Sequence, residues 1–120
     1  MATTYVANAF SLSMLGGEGE SSLECERLAG ADDARAWLHV EEDGEVVSCV
    51  GHTDTAAIFA AELGRPVPVA RISVALNHGD TVFVGQYTGP RLPEGAKTLP
   101  EGAKIVWWKV RVLDPDLCQG

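Results

Sequence analysis

One well-delimited helix pattern, HTDTAAIFAAELG, lies between segments that have the patterns of β-strands. We predict a helix from Asp54 to Leu63, with Thr53 as its N-cap because a hydroxyl at that position can accept a free backbone N–H. Its apolar stripe consists of Ile58, Phe59 and Leu63. Gly64 ends the helix, since glycine readily adopts the left-handed conformation of a helix C-terminus. A helix with one apolar stripe needs a second layer to cover it.

Strand patterns supply that layer. TTYVANA at 3–9, SLECERL at 22–28 and residues 45–50 are predicted strands. ARISVAL and TVFVGQY alternate apolar and polar side chains and are joined by Asn77–Asp80, which predicts an antiparallel hairpin. IVWWKVRV closes the chain as a strand whose residues Val106, Trp108, Val110 and Val112 share one face. Strands outnumber helices, so the predicted class is α+β or mixed α/β.

Three further short elements complete the prediction. Asp32 and Asp33 precede an apolar segment, and carboxylates suit the positive end of a helix, so a helix is predicted to start near residue 31. FSLSML indicates a turn or a brief helix, which the GGEGESS segment ends. A turn at Asp43 and Gly44 leads into the strand at 45–50.

Length and charge exclude several classes of protein. A chain of 120 residues forms one domain, 1–120, with a real core. No run approaches the ~18 apolar residues of a membrane span, and no signal peptide is visible, so we expect a cytoplasmic protein without membrane partners. The net charge of −8 argues against a DNA-coating surface. Three widely spaced cysteines predict reduced thiols rather than a disulfide framework.

The segment RLPEGAKTLPEGAK contains LPEGAK twice, and an arginine precedes only the first copy. The period is too short, and the copies too few, for a solenoid, while the prolines exclude a heptad helix. The segment is therefore a compact turn region. Arg91 follows a predicted strand that runs through Gln86, a position where loops on rigid sheets often hold binding groups.

Four places in the sequence could carry chemistry, and each also has a purely structural interpretation. Ser11 follows the first strand and suits a helix cap, whereas His52 precedes the main helix, where free N–H groups attract anions. A backbone-bonded histidine is the alternative there. Arg71 is either a ligand contact or a solvated strand residue, and Arg91 with Glu94 is either a binding pair or a surface ion pair.

Taken together, YVANAFSLSML, VGHTDTA, ARISVAL and QYTGPRLPEG resemble the ring nucleases of type III CRISPR systems. That family includes anti-CRISPR proteins of archaeal viruses and cellular enzymes, and the resemblance runs from about residue 4 to residue 112. It implies a mixed sheet of about five strands flanked by helices, a symmetric homodimer, and cleavage of cyclic tetra-adenylate, the second messenger of these systems.

The resemblance also implies roles for individual residues. His52, Arg91 and Glu94 match the catalytic positions. The ligand-binding positions are matched by Asn8, Ser11, Arg71 and Gln86. Only the first LPEGAK copy belongs to the site, and the second lies where longer viral members have a helix before the last strand, so that helix is expected to be missing.

Such residues suffice for metal-independent cleavage, in which the ribose 2′-hydroxyl attacks its own phosphorus and a general acid protonates the leaving oxygen. His52 is the natural acid, and we expect ligand binding to raise its charged fraction. No metal or other cofactor is expected, since the three histidines lack short ligand spacing. The alternative function is a non-catalytic sensor or sponge that holds the ring.

A third interpretation is a protein-interaction module built on the last strand. Trp107 and Trp108 point to opposite faces of that strand, so one ring is expected in the core and the other at a subunit interface. The alternative is that both are half-buried core residues.

Overall fold

The computed structural model describes residues 3–15, 22–40, 46–70, 72, 74–90, 95 and 99–113. In these ranges the chain forms five strands and two α-helices, with a short 3₁₀ helix at Leu12–Met14. In chain order the elements are β1 (Thr4–Ala7), β2 (Ser22–Arg27), α1 (Ala31–Val40), β3 (Val46–Ser48), α2 (Thr53–Leu63), β4 (Thr81–Thr88) and β5 (Lys104–Leu113). The predicted strands at the N-terminus, at 22–28 and at the C-terminus are confirmed, as are both helices.

The strands form one mixed sheet in the order β2-β5-β4-β1-β3. β1 is parallel to β3 and to β4, whereas β5 is antiparallel to both of its neighbours, β4 and β2. Parallel strands in one sheet require a crossover connection, and α2 lies in the one that leads from β3 past β1 to β4. The expected five-stranded mixed sheet with helices is thus confirmed.

One face of the sheet is covered by the helices. Phe59 of α2 packs on Trp107 of β5, with ring centroids 4.8 Å apart and an interplanar angle of 57°. Gly85 of β4 lies beneath this pair, and a Cβ added there would lie 2.6 Å from Cζ of Phe59. A glycine at this position therefore allows α2 to approach the sheet closely. Ile58, Phe59 and Leu63 are all buried, which confirms the predicted stripe.

The opposite face carries a second apolar cluster. Its buried members are Ala7, Leu76, Val82, Val84, Val110 and Val112. Trp108 packs against this cluster and is partly buried, so the two adjacent tryptophans lie on opposite faces of β5 as their alternation predicts. Trp107 is the one in the main core.

The predicted hairpin between ARISVAL and TVFVGQY is wrong. β4 already has β1 on one edge and β5 on the other, and a strand has only two edges for pairing. The preceding segment instead makes a single parallel bridge between Leu76 and Leu15, in which the Leu76 N–H donates to the Met14 carbonyl at 2.7 Å. The turn at Asn77–Asp80 does form, with the Asp80 N–H donating to the Asn77 carbonyl.

The ends of the helices follow local chemistry, with one correction. The N-cap of α2 is His52 rather than Thr53, which is the first helical residue. Gly64 adopts the left-handed conformation at φ 66° and donates its N–H to the Ala60 carbonyl, as predicted. At the start of α1, the Asp33 carboxylate accepts the Ala29 N–H at 3.0 Å.

The second LPEGAK copy forms a turn directly before β5. The Ala103 N–H donates to the Pro100 carbonyl at 3.1 Å, and Gly102 between them has φ 82°. Gly95, at the same place in the first copy, has φ 79°. Residues 99–103 hold no helix, and residues 96–98, on which the expected loss of a helix also depends, lie outside the described residues.

A buried carboxylate ties the N-terminus to the turn before β4. Asp80 is only 2% exposed, and its two oxygens accept the Thr3 N–H at 2.9 Å and the Asn77 N–H at 2.8 Å. Burial and this carboxylate raise the pKa of Tyr5. Asp80 thereby fixes the start of both β1 and β4.

We expect Asp80→Ala to lower the free energy of unfolding by about 1–3 kcal/mol, because two backbone donors lose their acceptor in a site that water reaches poorly. Urea unfolding followed by circular dichroism measures the change. Asp80→Asn keeps one oxygen acceptor and should lose less. Equal unfolding midpoints for Asp80→Ala and the unsubstituted protein would contradict this role.

Two described cysteines are free thiols, Cys25 on the surface and Cys49 half-buried. Burial raises the pKa of Cys49 to about 11, so this thiol stays protonated at neutral pH. Within the described residues, no helix combines the length and the apolar character needed to cross a bilayer.

Candidate functional site

The three parallel strands, β1, β3 and β4, end at the same side of the sheet. We call this side the carboxyl edge. It consists of the residues that follow β1 and β3, together with the last residues of β4. Ala7, the last residue of β1, pairs with Val84 of β4. On the other side of β1, the Cys49 N–H donates to the Val6 carbonyl at 2.8 Å. The carboxyl ends of parallel strands are where ligands of open α/β sheets usually bind.

His52 lies at the carboxyl edge, at the start of α2. Its backbone is extended, with φ −127° and ψ 128°, and its carbonyl accepts the Ala56 N–H at 2.9 Å. The side chain is exposed and does not cap the helix. An accessible imidazole therefore stands beside the N-terminal N–H groups of α2, where the helix dipole favours anions.

Asn8 and Ser11 follow β1 and are both exposed. Ser11 is the N-cap of the short 3₁₀ helix, and its Oγ accepts the Ser13 N–H at 3.3 Å. The same oxygen lies 2.9 Å from the Ser13 Oγ. The helix-cap interpretation of Ser11 is thus confirmed, and its hydroxyl also remains at the surface of the carboxyl edge.

Gln86 is exposed near the end of β4, two residues beyond the partner of Ala7. It pairs with Val106 of β5 through the ladder that continues to Thr88. Neighbouring strands lie ~4.8 Å apart, so Gln86 and Asn8 occupy the same edge of adjacent strands. The structure accordingly brings Asn8, Ser11, His52 and Gln86 to one edge.

The other three predicted site residues, Arg71, Arg91 and Glu94, lie outside the described residues. Their described neighbours in the chain are at the carboxyl edge. The Ala70 N–H donates to the Val50 carbonyl at 2.9 Å, two residues before His52. The Pro90 carbonyl accepts a hydrogen bond from the Tyr87 hydroxyl, two residues after β4 ends.

Sequence reasoning missed an apolar component near these residues. Leu12 is 75% exposed directly after Ser11, and Ile72 is 50% exposed directly after Arg71 in the sequence. The alternation of ARISVAL predicts that Ile72 shares a strand face with Val74 and Leu76, but only those two pack in the second cluster. Two prolines lie upstream of Ile72, and the turn at Asn77–Asp80 lies downstream. This position disfavours a regular strand and was the signal that could have identified Ile72 as exposed.

Among the described residues, no three histidine, cysteine or acidic side chains lie close enough together to hold a metal ion. The predicted site residues that are described at the carboxyl edge supply an imidazole, two amides and a hydroxyl. These groups can donate hydrogen bonds to phosphate oxygens and sugar hydroxyls, and an imidazole is a side chain that can transfer protons.

The fold is that of a small α+β domain with exposed polar side chains where its parallel strands end. The chain belongs to the STIV B116-like family, whose model matches residues 4–104. It is similar in structure to B116 of Sulfolobus turreted icosahedral virus, with a TM-score of 0.75 and 27% sequence identity over 92% of this chain and 99% of that chain. No functionally curated protein gives a significant match to the chain.

Proposed function

We propose that this protein is a metal-independent ring nuclease that cleaves cyclic tetra-adenylate. The products are linear di-adenylates that end in a 2′,3′-cyclic phosphate, and their formation switches off type III CRISPR signalling in the cytoplasm. The observation that supports this proposal best is the exposed imidazole of His52 at the N-terminus of α2, on the same edge as Asn8, Ser11 and Gln86.

The reaction needs little from the protein beyond positioning and proton transfer. The ribose 2′-oxygen attacks the adjacent phosphorus, the bond from phosphorus to the 5′-oxygen breaks, and the leaving oxygen takes a proton. His52 supplies that proton in our scheme, because it is an exposed imidazole beside the site where a phosphate would bind. The 2′-hydroxyl loses its proton to solvent, and the imidazole is reprotonated from water.

The phosphate is held by backbone and side-chain donors. The first N–H groups of α2 are not capped by the His52 side chain, so they can donate to a phosphoryl oxygen. In this proposal Arg71 and Arg91 neutralise the charge that grows on those oxygens, as cationic clamps do in other phosphoryl chemistry. Glu94 is assigned to orient Arg91 or a ribose hydroxyl, since an unpaired carboxylate beside a polyanion is repelled.

The adenine bases need apolar surface as well as hydrogen bonds. Leu12 and Ile72 expose large apolar side chains next in sequence to Ser11 and Arg71. Aliphatic side chains such as these can cover the flat face of an unstacked base. We assign these two side chains to the base-binding part of the site, with Asn8 and Gln86 as amide partners for sugar or base edges.

Two-fold symmetry concentrates the few positive groups of an acidic chain. The net charge of one chain is −8, so long-range attraction of a four-phosphate ring is unfavourable and close contacts must supply the affinity. A homodimer that places both carboxyl edges around one ring doubles the local number of arginine and histidine side chains and matches the symmetry of the ligand. Each half-site then cuts once, which yields two dinucleotides.

The test is incubation of the purified protein at micromolar concentration with labelled cyclic tetra-adenylate in EDTA. Linear products with a 2′,3′-cyclic phosphate support the proposal, and an intact ring after prolonged incubation contradicts it. Tight binding of a ring that is never cut would instead establish the sensor or sponge. Calorimetric titration without any heat of nucleotide binding would favour the protein-interaction module.

A further inference from the structure

The loop between β4 and β5 is closed at its base by a set of contacts that we call the neck: Tyr87, Thr88 and Gly89 on one side and Ala103 and Lys104 on the other. The Tyr87 hydroxyl donates to the Pro90 carbonyl. The Thr88 Oγ1 donates to the Lys104 carbonyl at 3.3 Å. Beyond the strand pairing of Thr88 with Lys104, the neck thus has one side-chain hydrogen bond across its two sides and one that reaches forward into the loop.

Gly89 allows the two sides of the neck to meet. Its φ of 147° is rare for residues with a side chain, and a Cβ at this position would lie 2.7 Å from the Cα and 2.7 Å from the Cβ of Ala103. The Tyr87 hydroxyl oxygen lies 3.5 Å from the same point. The backbone at Gly89 therefore passes directly over Ala103, with the tyrosine hydroxyl alongside.

The second LPEGAK copy contributes one side of the neck. Ala103 is the last residue of the turn that begins at Pro100, and Lys104 is the first residue of β5. This copy lacks a preceding arginine, but its turn places Ala103 under Gly89. The two copies thus have different tasks: the first follows Arg91, and the second closes the loop that contains it.

The Tyr87 hydrogen bond acts on the peptide that joins Pro90 to Arg91. A peptide unit is planar, so holding its carbonyl oxygen also fixes the direction in which the chain leaves Pro90. We propose that Tyr87 is a positioning residue that, through the Pro90 carbonyl and with the neck behind it, fixes the start of the segment containing Arg91. This inference rests on the proposed function, because it gives Arg91 its task at the scissile phosphate.

The test compares Tyr87→Phe with the unsubstituted protein in the cleavage of cyclic tetra-adenylate. Phenylalanine keeps the ring and removes only the hydroxyl, so we expect kcat to fall roughly tenfold or more through misalignment of the arginine, with KM changed less. The Tm should stay close to that of the unsubstituted protein. The matched control is Tyr5→Phe, which removes the only other tyrosine hydroxyl of the chain, in β1 near Asp80 and away from the neck, and should leave kcat within about twofold.

A second background distinguishes positioning from a general effect. If Tyr87 acts through Arg91, Tyr87→Phe causes no further loss when Arg91 is already alanine, as measured in single-turnover reactions at high enzyme concentration. Gly89→Ala disturbs the neck without removing the hydroxyl, and it should lower kcat in the same way and with the same dependence on Arg91.

The outcomes separate the two proposals. Cleavage by the unsubstituted protein with an unchanged kcat in Tyr87→Phe and Gly89→Ala overturns the positioning role and leaves the ring nuclease intact. If Tyr87→Phe lowers kcat by an equally large factor in the Arg91→Ala background, the positioning role is also overturned. Absence of cleavage by the unsubstituted protein overturns the proposed function, and the positioning role with it.

Discussion

Replacing His52 with alanine lowers kcat for cyclic tetra-adenylate by about 10²–10⁴-fold, the usual contribution of a general acid. The side chain is exposed and does not cap α2, so its removal should leave the fold and the Tm almost unchanged. Affinity should also remain within several-fold, because the phosphate-binding N–H groups of α2 belong to the backbone. Rapid-quench kinetics gives kcat, and calorimetry with the inactive variant gives the affinity.

The matched control is His78→Ala. His78 is also exposed, but it lies in the turn before β4, at the opposite end of that strand from Gln86. Its replacement should leave kcat unchanged. Two results would contradict the assignment of His52: cleavage by His52→Ala at the original rate, or an equal loss of kcat in both variants.

Local sequence chemistry predicted the elements whose formation depends on near neighbours. The stripe of Ile58, Phe59 and Leu63 and the glycine at 64 define α2 without reference to the remainder of the chain. Its first residue was misplaced by one position, because Thr53 and His52 both precede the stripe and only the backbone shows which of them is extended. Such boundary errors are normal, since one turn more or less changes few contacts.

Pairing across long sequence distances was not predictable from these patterns. ARISVAL alternates as a strand does, but β1 and β5 occupy both edges of β4. In the sequence, β1 is more than 70 residues from β4, and β5 is about 20 residues from it. Local alternation reports which side chains are apolar, not which backbone edge is available. The same limitation affected Ile72, whose exposure follows from the absence of the hairpin.

Half of the candidate site emerges from topology once β1, β3 and β4 are known to be parallel. Asn8, His52 and Gln86 come from separate parts of the chain, and their common edge follows from the strand register. Their roles came only from the resemblance to ring nucleases. The neck was missed altogether, because a tyrosine that bonds a carbonyl three residues later has no distinctive sequence pattern.

Trp107→Ala should lower the free energy of unfolding by about 3–5 kcal/mol, which is a large share of the stability of a small domain. Trp107 is 1% exposed, and its ring packs on Phe59 and closes over Gly85, so alanine leaves a cavity between α2 and the sheet. The backbone cannot collapse into that space, because the Trp107 carbonyl accepts the Leu28 N–H at 2.9 Å and holds β5 in place. We expect Tm to fall by roughly 10–20 °C in calorimetry.

The adjacent tryptophan provides the control within the same strand. Trp108 is partly buried on the opposite face, so Trp108→Ala removes less apolar area and should cost about 1–2 kcal/mol in the free energy of unfolding. The two substitutions are neighbours and chemically identical. The difference between their losses of unfolding free energy therefore measures the contribution of the helix-covered core alone. Equal losses of stability in the two variants would contradict the assignment of Trp107 to the main core, because removing a ring that is 1% exposed should cost more than removing a partly buried one.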